Sequence, residues 1–249
     1  MNLHFQLQEV EEKYVLKVLK SLKAKTSYGP DGISSEVLKM GAEVLCVPLT
    51  LIINISIVSS KFPTEWKLAK CAPVFKKGSR KAKENYRPVS LLPVSGMILE
   101  KAVKDQVEDF FESNNLLGKY QFGFRKKKST VSELLQLFDN IMDAKDCRRE
   151  IVLLMYDLSA AFDTVSHKTL TNKLEIYGFD EEAIMWMKSY LEGRKQTVNV
   201  QGKSSATQEM PTGTPQGSRL SRARHRKSIS TKMLWGFTFV PRTPKITTF

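Results

Sequence analysis

The sequence reads as an α+β protein, and three observations carry that reading. Apolar residues recur every three to four positions in several stretches, the mark of amphipathic helices. Short runs rich in apolar and β-branched residues lie between them and read as strands. At the centre, six apolar or aromatic residues, Ile151 to Tyr156, lead straight into an acid, Asp157. A short continuous apolar run of this kind reads as a strand buried on both faces.

With 249 residues the chain has room for one large domain or two small ones. Its 41% hydrophobic and 26% charged residues are an ordinary globular composition and exclude a disordered chain. The formal net charge of +13 favours a polyanionic partner, nucleic acid first, although a basic balance also serves solubility. That charge is uneven. Residues 222–249 hold seven Lys or Arg (Arg222, Arg224, Arg226, Lys227, Lys232, Arg242, Lys245) and no acid. Residues 1–221 carry only +6, from 32 basic and 26 acidic side chains. Cys46, Cys71 and Cys147 are too few and too scattered for a disulfide framework or a zinc site, so an intracellular, reducing compartment is expected. The three histidines have no metal-ligand spacing, and the polar N-terminus shows no secretory signal.

Taken in order, Val10, Tyr14, Val18 and Leu22, with Val15 and Leu19 beside them, form one face of a helix. Gly29-Pro30-Asp31-Gly32 is a turn. Val44 to Val58 is nearly all apolar, but it has 15 residues, with Pro48, Asn54 and Ser56 inside. A membrane span needs ~20, so the expectation is a buried helix that Phe62-Pro63 ends. Lys70 to Phe75 reads as a strand, followed by a basic tip. There Lys76, Lys77 and Arg80 suit phosphate contact, or else decorate a solvated turn. Arg87 stands between Tyr86 and Pro88, just before a short apolar strand.

Ile98, Ala102, Val103, Val107, Phe110 and Phe111 mark the inner face of a long helix that Asn114-Asn115 closes. Gln121 to Lys128 is glycine-bearing, aromatic and basic. Such a stretch can lay Arg125, Lys126, Lys127 and Lys128 against a nucleic-acid strand, while Phe122 and Phe124 read better as core. Thr130 with Glu133 suggests a capping box for a helix whose buried face is Val131, Leu134, Leu135, Phe138, Ile141 and Met142. A further helix buries Leu170, Leu174 and Tyr177 and stops at Gly178. Asp180 caps the next, which buries Ile184, Met187 and Leu191. Residues 196–201, Gly202 and residues 207–210 make a hairpin. In Gly213-Thr214-Pro215-Gln216-Gly217, two glycines let backbone approach a base pair closely, and Gln216 can hydrogen-bond a backbone or base edge.

Asp157 admits two readings from its position alone. A carboxylate at the end of a buried strand sits on a rigid support suited to a metal ion, and Asp is also common as the cap of a turn. The stretch Asp157-Leu158-Ser159-Ala160-Ala161-Phe162-Asp163 resembles the first catalytic motif of reverse transcriptases, most closely those of non-LTR (LINE-like) retrotransposons. Three more stretches match in the family's order: Tyr86 to Leu92 (YRPVSLL), Gln121 to Arg125 (QFGFR) and Gly213 to Ser218 (GTPQGS). The resemblance covers roughly Gly29 to Ser221.

The resemblance implies a right-hand polymerase fold with fingers, an incomplete palm and no thumb. It divides the chain into a helical lead-in over 1–28, fingers over 29–150, partial palm over 151–221 and an aberrant basic tail over 222–249. It implies two-metal nucleotidyl transfer with Mg²⁺ or Mn²⁺, and an RNA template, a DNA primer and deoxynucleotides as partners, with no membrane. On this resemblance Asp157 is the catalytic acid shared by both metals and the Leu158 carbonyl a backbone ligand. Phe162 is the steric gate against a ribose 2′-hydroxyl, and Asp163 is structural. Arg87, Arg125, Gln216 and Gly217 meet the nucleotide, and Lys76, Lys77, Arg80 and Lys126 to Lys128 the nucleic acid.

Three departures matter. Met97 stands where relatives carry Lys. A basic stretch, Arg219 to Lys227, replaces the family's apolar palm helix, and no Asp or Glu follows Glu209, where the family has its second acidic pair. The expectation is an inactive fragment, or a remnant that binds nucleic acid without catalysis. An aspartyl-nucleophile phosphotransferase would need a second acid two residues after Asp157, and Ser159 occupies that place.

Overall fold

The computed structural model describes residues 3–118, 120–123, 125, 127–153, 163–200, 202–215 and 217–220, with only the backbone of Arg87. In chain order the elements are α1 (Glu12–Lys20), α2 (Ser35–Met40), α3 (Ala42–Val58), β1 (Leu68–Phe75), β2 (Tyr86–Leu91), α4 (Val94–Ser113), α5 (Thr130–Asp146), α6 (His167–Ile176), α7 (Glu181–Leu191), β3 (Lys195–Val200), β4 (Lys203–Ser204) and β5 (Gln208–Glu209). Two compact units result. Among the described residues, one comprises 3–110 with 163–220 and the other lies within 111–153, so the boundary falls inside α4. The first unit therefore draws on all three regions, 1–28, 29–150 and 151–221, that the resemblance separates.

The first unit is built on a mixed sheet in the order β2-β1-β3-β4, with β5 also on β3. β1 and β2 are antiparallel, Phe75 facing Tyr86 and Lys70 facing Leu91. β1 and β3 run parallel, Leu68 beside Lys195 and Cys71 beside Val198. The core of this unit is dense. Trp186 of α7 is fully buried, as are Leu19 of α1, Ile53 of α3 and Leu99 and Val103 of α4. Phe62 sets its ring edge-on to Trp186 at 5.8 Å and to Tyr190 at 5.2 Å. Each large side chain so buried contributes about 1.5–3 kcal/mol relative to leaving it in water.

The polar residues inside the apolar α3 serve docking. Asn54 Oδ1 accepts the Val10 N–H at 2.9 Å and its Nδ2 donates to the Val10 carbonyl at 3.0 Å. Ser56 Oγ donates to the Lys61 carbonyl and accepts from Trp186 Nε1 at 3.1 Å. The expectation of a buried helix holds for one face only. Cys46, Leu49, Ile53 and Ile57 are buried, while Val44, Leu51, Ile55 and Val58 are exposed. No helix among the described residues is long and apolar enough to cross a membrane.

The lead-in is woven into the same unit. Phe5 pairs with Phe179 across a backbone bridge, its N–H donating to the Gly178 carbonyl at 2.8 Å. Gly178, at φ +87, ends the segment after α6 with the Leu3 backbone against the space a Cβ would fill. Asp180 caps α7 as expected, accepting the Ala183 N–H at 2.8 Å.

Two sequence expectations fail at α5. Its cap is Ser129 with Ser132, a reciprocal box one residue earlier than Thr130 with Glu133, because Ser129 keeps an extended backbone while Thr130 is already helical. Its apolar face is also not buried. Val131, Leu134, Leu135, Phe138 and Met142 are all exposed, and Glu133 is the buried side chain.

Candidate nucleotide and nucleic-acid site

The residues flanking Gln216 are held by several backbone contacts. Gly213 and Gly217 take φ of +81 and +129, a region that favours glycine. A Cβ on Gly217 would lie 2.7 Å from the carbonyl oxygen of Ser90 in β2, so only glycine lets the two backbones approach. Pro215 between them is fully buried. Both backbone groups of Gly213 are used. Its N–H donates to the Val165 carbonyl at 2.9 Å, and its carbonyl accepts from His167 Nε2 at 2.8 Å. Because the partner is a carbonyl, that ring nitrogen carries the proton. Thr212 Oγ1 donates to the Asp163 carbonyl at 3.1 Å. The Pro-Gln-Gly turn is thus fastened to the segment that leaves the Asp157 motif.

The C-terminal side of the turn rests on a buried polar cluster. Glu100 of α4, Arg194 before β3 and Ser218 are all buried. Glu100 Oε2 accepts the Arg219 backbone N–H at 2.6 Å. Its Oε1 lies 3.8 Å from Arg194 Nη2 and accepts from the Tyr190 hydroxyl at 3.4 Å. Tyr190 and Ser218 share a hydrogen bond of 2.7 Å. Arg194 donates from Nε to the Tyr190 carbonyl at 2.7 Å and stacks its guanidinium 4.2 Å over the Tyr190 ring. Burial pushes the Glu100 carboxyl above the usual carboxylate range, and Arg194 and the Arg219 N–H oppose that shift. Burial likewise raises the Tyr190 hydroxyl.

The β1–β2 hairpin carries the basic tip. Lys76, Lys77 and Arg80 are all exposed. The tip is shaped by Gly78 at φ +84, by Asn85 donating to the Ser79 carbonyl at 2.9 Å and by the Tyr86 hydroxyl donating to the Arg80 carbonyl at 2.9 Å. Arg80 lies 5.1 Å over the Phe75 ring, and Lys81 and Lys83 are exposed beside Lys76 and Lys77. The backbone of Arg87 pairs opposite Val74.

In the second unit Arg125 is engaged with protein. Its Nε and Nη2 grip Glu112 at 3.0 and 2.7 Å, and Nη1 donates to the Gly118 carbonyl at 3.2 Å. This bidentate pair ties the Gln121–Lys128 stretch to the end of α4. Phe122 is buried, as expected, with Lys128 Nζ 4.7 Å over its ring. Lys127 is exposed at φ +62.

Residues 75–228 match the family described as "Reverse transcriptase (RNA-dependent DNA polymerase)", more than half of the chain. The chain belongs to the reverse transcriptase family. Its relatives include the probable RNA-directed DNA polymerase from transposon BS of Drosophila melanogaster, 33% identical over 219 residues, 88% of this chain and 24% of that protein. The probable RNA-directed DNA polymerase from transposon X-element of the same fly is 31% identical over 191 residues, 76% of this chain and 21% of the relative. The polymerase from its mobile element jockey is 29% identical over 213 residues, 85% and 23%. These relatives place it with the reverse transcriptases of non-LTR retrotransposons. The chain spans about a quarter of the length of the curated relatives it matches.

Of the residues the reverse transcriptase resemblance assigns, Asp157, Leu158, Phe162, Gln216 and Lys126 lie outside the described residues, as does Phe124. Among the described residues no group of three His, Cys, Asp or Glu side chains converges as a metal site. The structure places Gly217 against β2 and ties Gly213 to Val165 and His167. Sequence reasoning missed Glu100, Tyr190, Arg194 and His167. A signal existed for Glu100. Gly96, Leu99, Glu100 and Val103 are spaced as one helix face, which sets the acid among apolar neighbours. Tyr190 likewise falls on the face of Met187 and Leu191. Nothing local marks Arg194, whose partners come from α4 and α7.

Proposed function

We propose that this chain forms the fingers and the first part of the palm of a right-hand reverse transcriptase. In this reading it binds a deoxynucleotide and a primed RNA template but does not extend the primer by itself. The observation that carries the reading is the fastening of Gly213. Both of its backbone groups are bonded to the segment leaving the Asp157 motif, which supports a single site for Asp157 and the Pro-Gln-Gly turn.

Asp157 and the Leu158 carbonyl would hold Mg²⁺, which would activate the primer hydroxyl and neutralise phosphate charge. Gly217 offers its backbone to the nucleotide while its missing Cβ leaves room for the Ser90 carbonyl, and Phe162 excludes a 2′-hydroxyl. Lys76 and Lys77 meet phosphate from the hairpin tip. Two-metal transfer asks for a second set of carboxylates, and this sequence has no Asp or Glu after Glu209. Residues 222–249 are basic and acid-free, and the family match ends within them at residue 228.

The test uses labelled primed RNA template and deoxynucleotide with the purified chain, with and without Mg²⁺, followed by both anisotropy and primer extension. Expected are Mg²⁺-dependent nucleotide binding that Asp157→Ala abolishes, template affinity that falls steeply with salt, and no extension product. Absence of nucleotide binding would sink the site. Template-dependent extension that disappears in Asp157→Ala would show that the chain polymerises, and the fragment reading would be wrong.

A further inference from the structure

We propose that Glu100 is a positioning residue for the Pro-Gln-Gly turn, holding its Gly217–Ser218–Arg219 backbone in place from inside the core. The inference rests on the reading of that turn as a nucleotide site.

Glu100 and Arg194 are both almost wholly buried, with 2% and 3% of their side chains exposed. A buried ion pair at 3.8 Å is a poor source of stability, because desolvation of both charges offsets their attraction, and apolar residues of the same volume often do as well. Nη1 and Nη2 of Arg194 have no hydrogen-bond partner among the described residues, which raises the cost of burying it. Stability therefore does not account for the pair.

What the cluster does fix is the location of a loop. Glu100 Oε2 takes the Arg219 N–H at 2.6 Å, a short bond to main chain that no substitution in the loop itself would remove, proline aside. Tyr190 reaches Glu100 and Ser218 with one hydroxyl, and Ser218 Oγ takes the Leu220 N–H at 3.0 Å. Arg194, stacked on the Tyr190 ring, holds that ring and faces the same carboxylate. On the opposite side Gly217 lies against the Ser90 carbonyl with no room for a Cβ. The backbone at Gly217 is therefore gripped between α4 and β2. A site whose work is to place a base pair needs that accuracy, since a misplacement of ~1 Å costs on the order of a hundredfold.

The test compares the full chain with the double variant Glu100→Met/Arg194→Met. Three quantities are read: the thermal midpoint, the exchange rates of the Arg219 and Leu220 amides, and the dissociation constant for Mg²⁺-deoxynucleotide. Expected are a retained fold, exchange at those two amides faster by about tenfold, and nucleotide affinity weaker by about tenfold. Glu100→Gln, whose amide oxygen still accepts from Arg219, should keep both near wild type. A folded double variant with unchanged exchange and affinity overturns the proposal. Should the double variant not fold, Tyr190→Phe removes only the bridging hydroxyl and keeps the ring. It should loosen the same amides, and unchanged exchange there overturns the proposal as well. If the unaltered chain binds no nucleotide, the site reading fails while the amide rates still decide the role of Glu100.

Discussion

Helices α7 and α5 look alike in sequence and differ in their surroundings. Both show apolar residues at helical spacing and both have side-chain caps, Asp180 for one and Ser129 for the other. In α7 the apolar face is core, with Trp186 at 0% and Leu191 at 2% exposure. In α5 the corresponding face is open, with Val131 at 66% and Phe138 at 64%. Period and cap decide that a helix forms and which face is apolar. They do not decide whether anything lies against that face, because burial requires a second surface.

The contrast can be broken by mutation. Trp186→Ala should have the largest effect. It removes the centre of the α7 face and the bond to Ser56, and should cost about 3–5 kcal/mol in denaturant unfolding. A loss below ~1 kcal/mol would mean that this core is not the one that holds the first unit together. Gly217→Ala comes next. Its Cβ would meet the Ser90 carbonyl and its φ is +129, so about 1–3 kcal/mol of strain is expected, read as a lowered thermal midpoint. An unchanged midpoint would mean the turn is free to move off β2. Ser129→Ala should cost about 1 kcal/mol, seen as faster amide exchange confined to the first turn of α5.

The smallest effect belongs to the open face. Phe138→Ser should change stability by no more than ~0.5 kcal/mol and should reduce self-association, since it removes exposed apolar surface. If Phe138→Ser instead destabilises as Trp186→Ala does, the two faces are equivalent and the contrast is void.

The site follows the same division. Gly29-Pro30-Asp31-Gly32, the β1–β2 hairpin with its basic tip and the Asp180 cap are legible, because each depends on residues near in sequence, whereas Gly217 meets Ser90, 127 positions away, where the sequence suggests a base pair. The sequence presents Arg125 as a cation for nucleotide, and in the structure its guanidinium also pairs with Glu112, 13 residues away. Charge type is visible in a sequence, but the partner that claims it is not. The cluster of Glu100, Tyr190, Arg194 and Ser218 was not read at all, since it unites residues up to 118 positions apart.

The sequence by itself determined the local matters. Helical period, turns and the order of four motifs suffice for most of the helices and for membership of the reverse transcriptase family, because each is encoded within a few consecutive residues. The tertiary structure alone decided which apolar faces are core, that β3 joins β1 in parallel, and that a buried carboxylate on α4 holds the Arg219 backbone. The physical reason is that burial and desolvation depend on what the fold brings alongside a residue, and neighbours in the chain carry little information about neighbours in space.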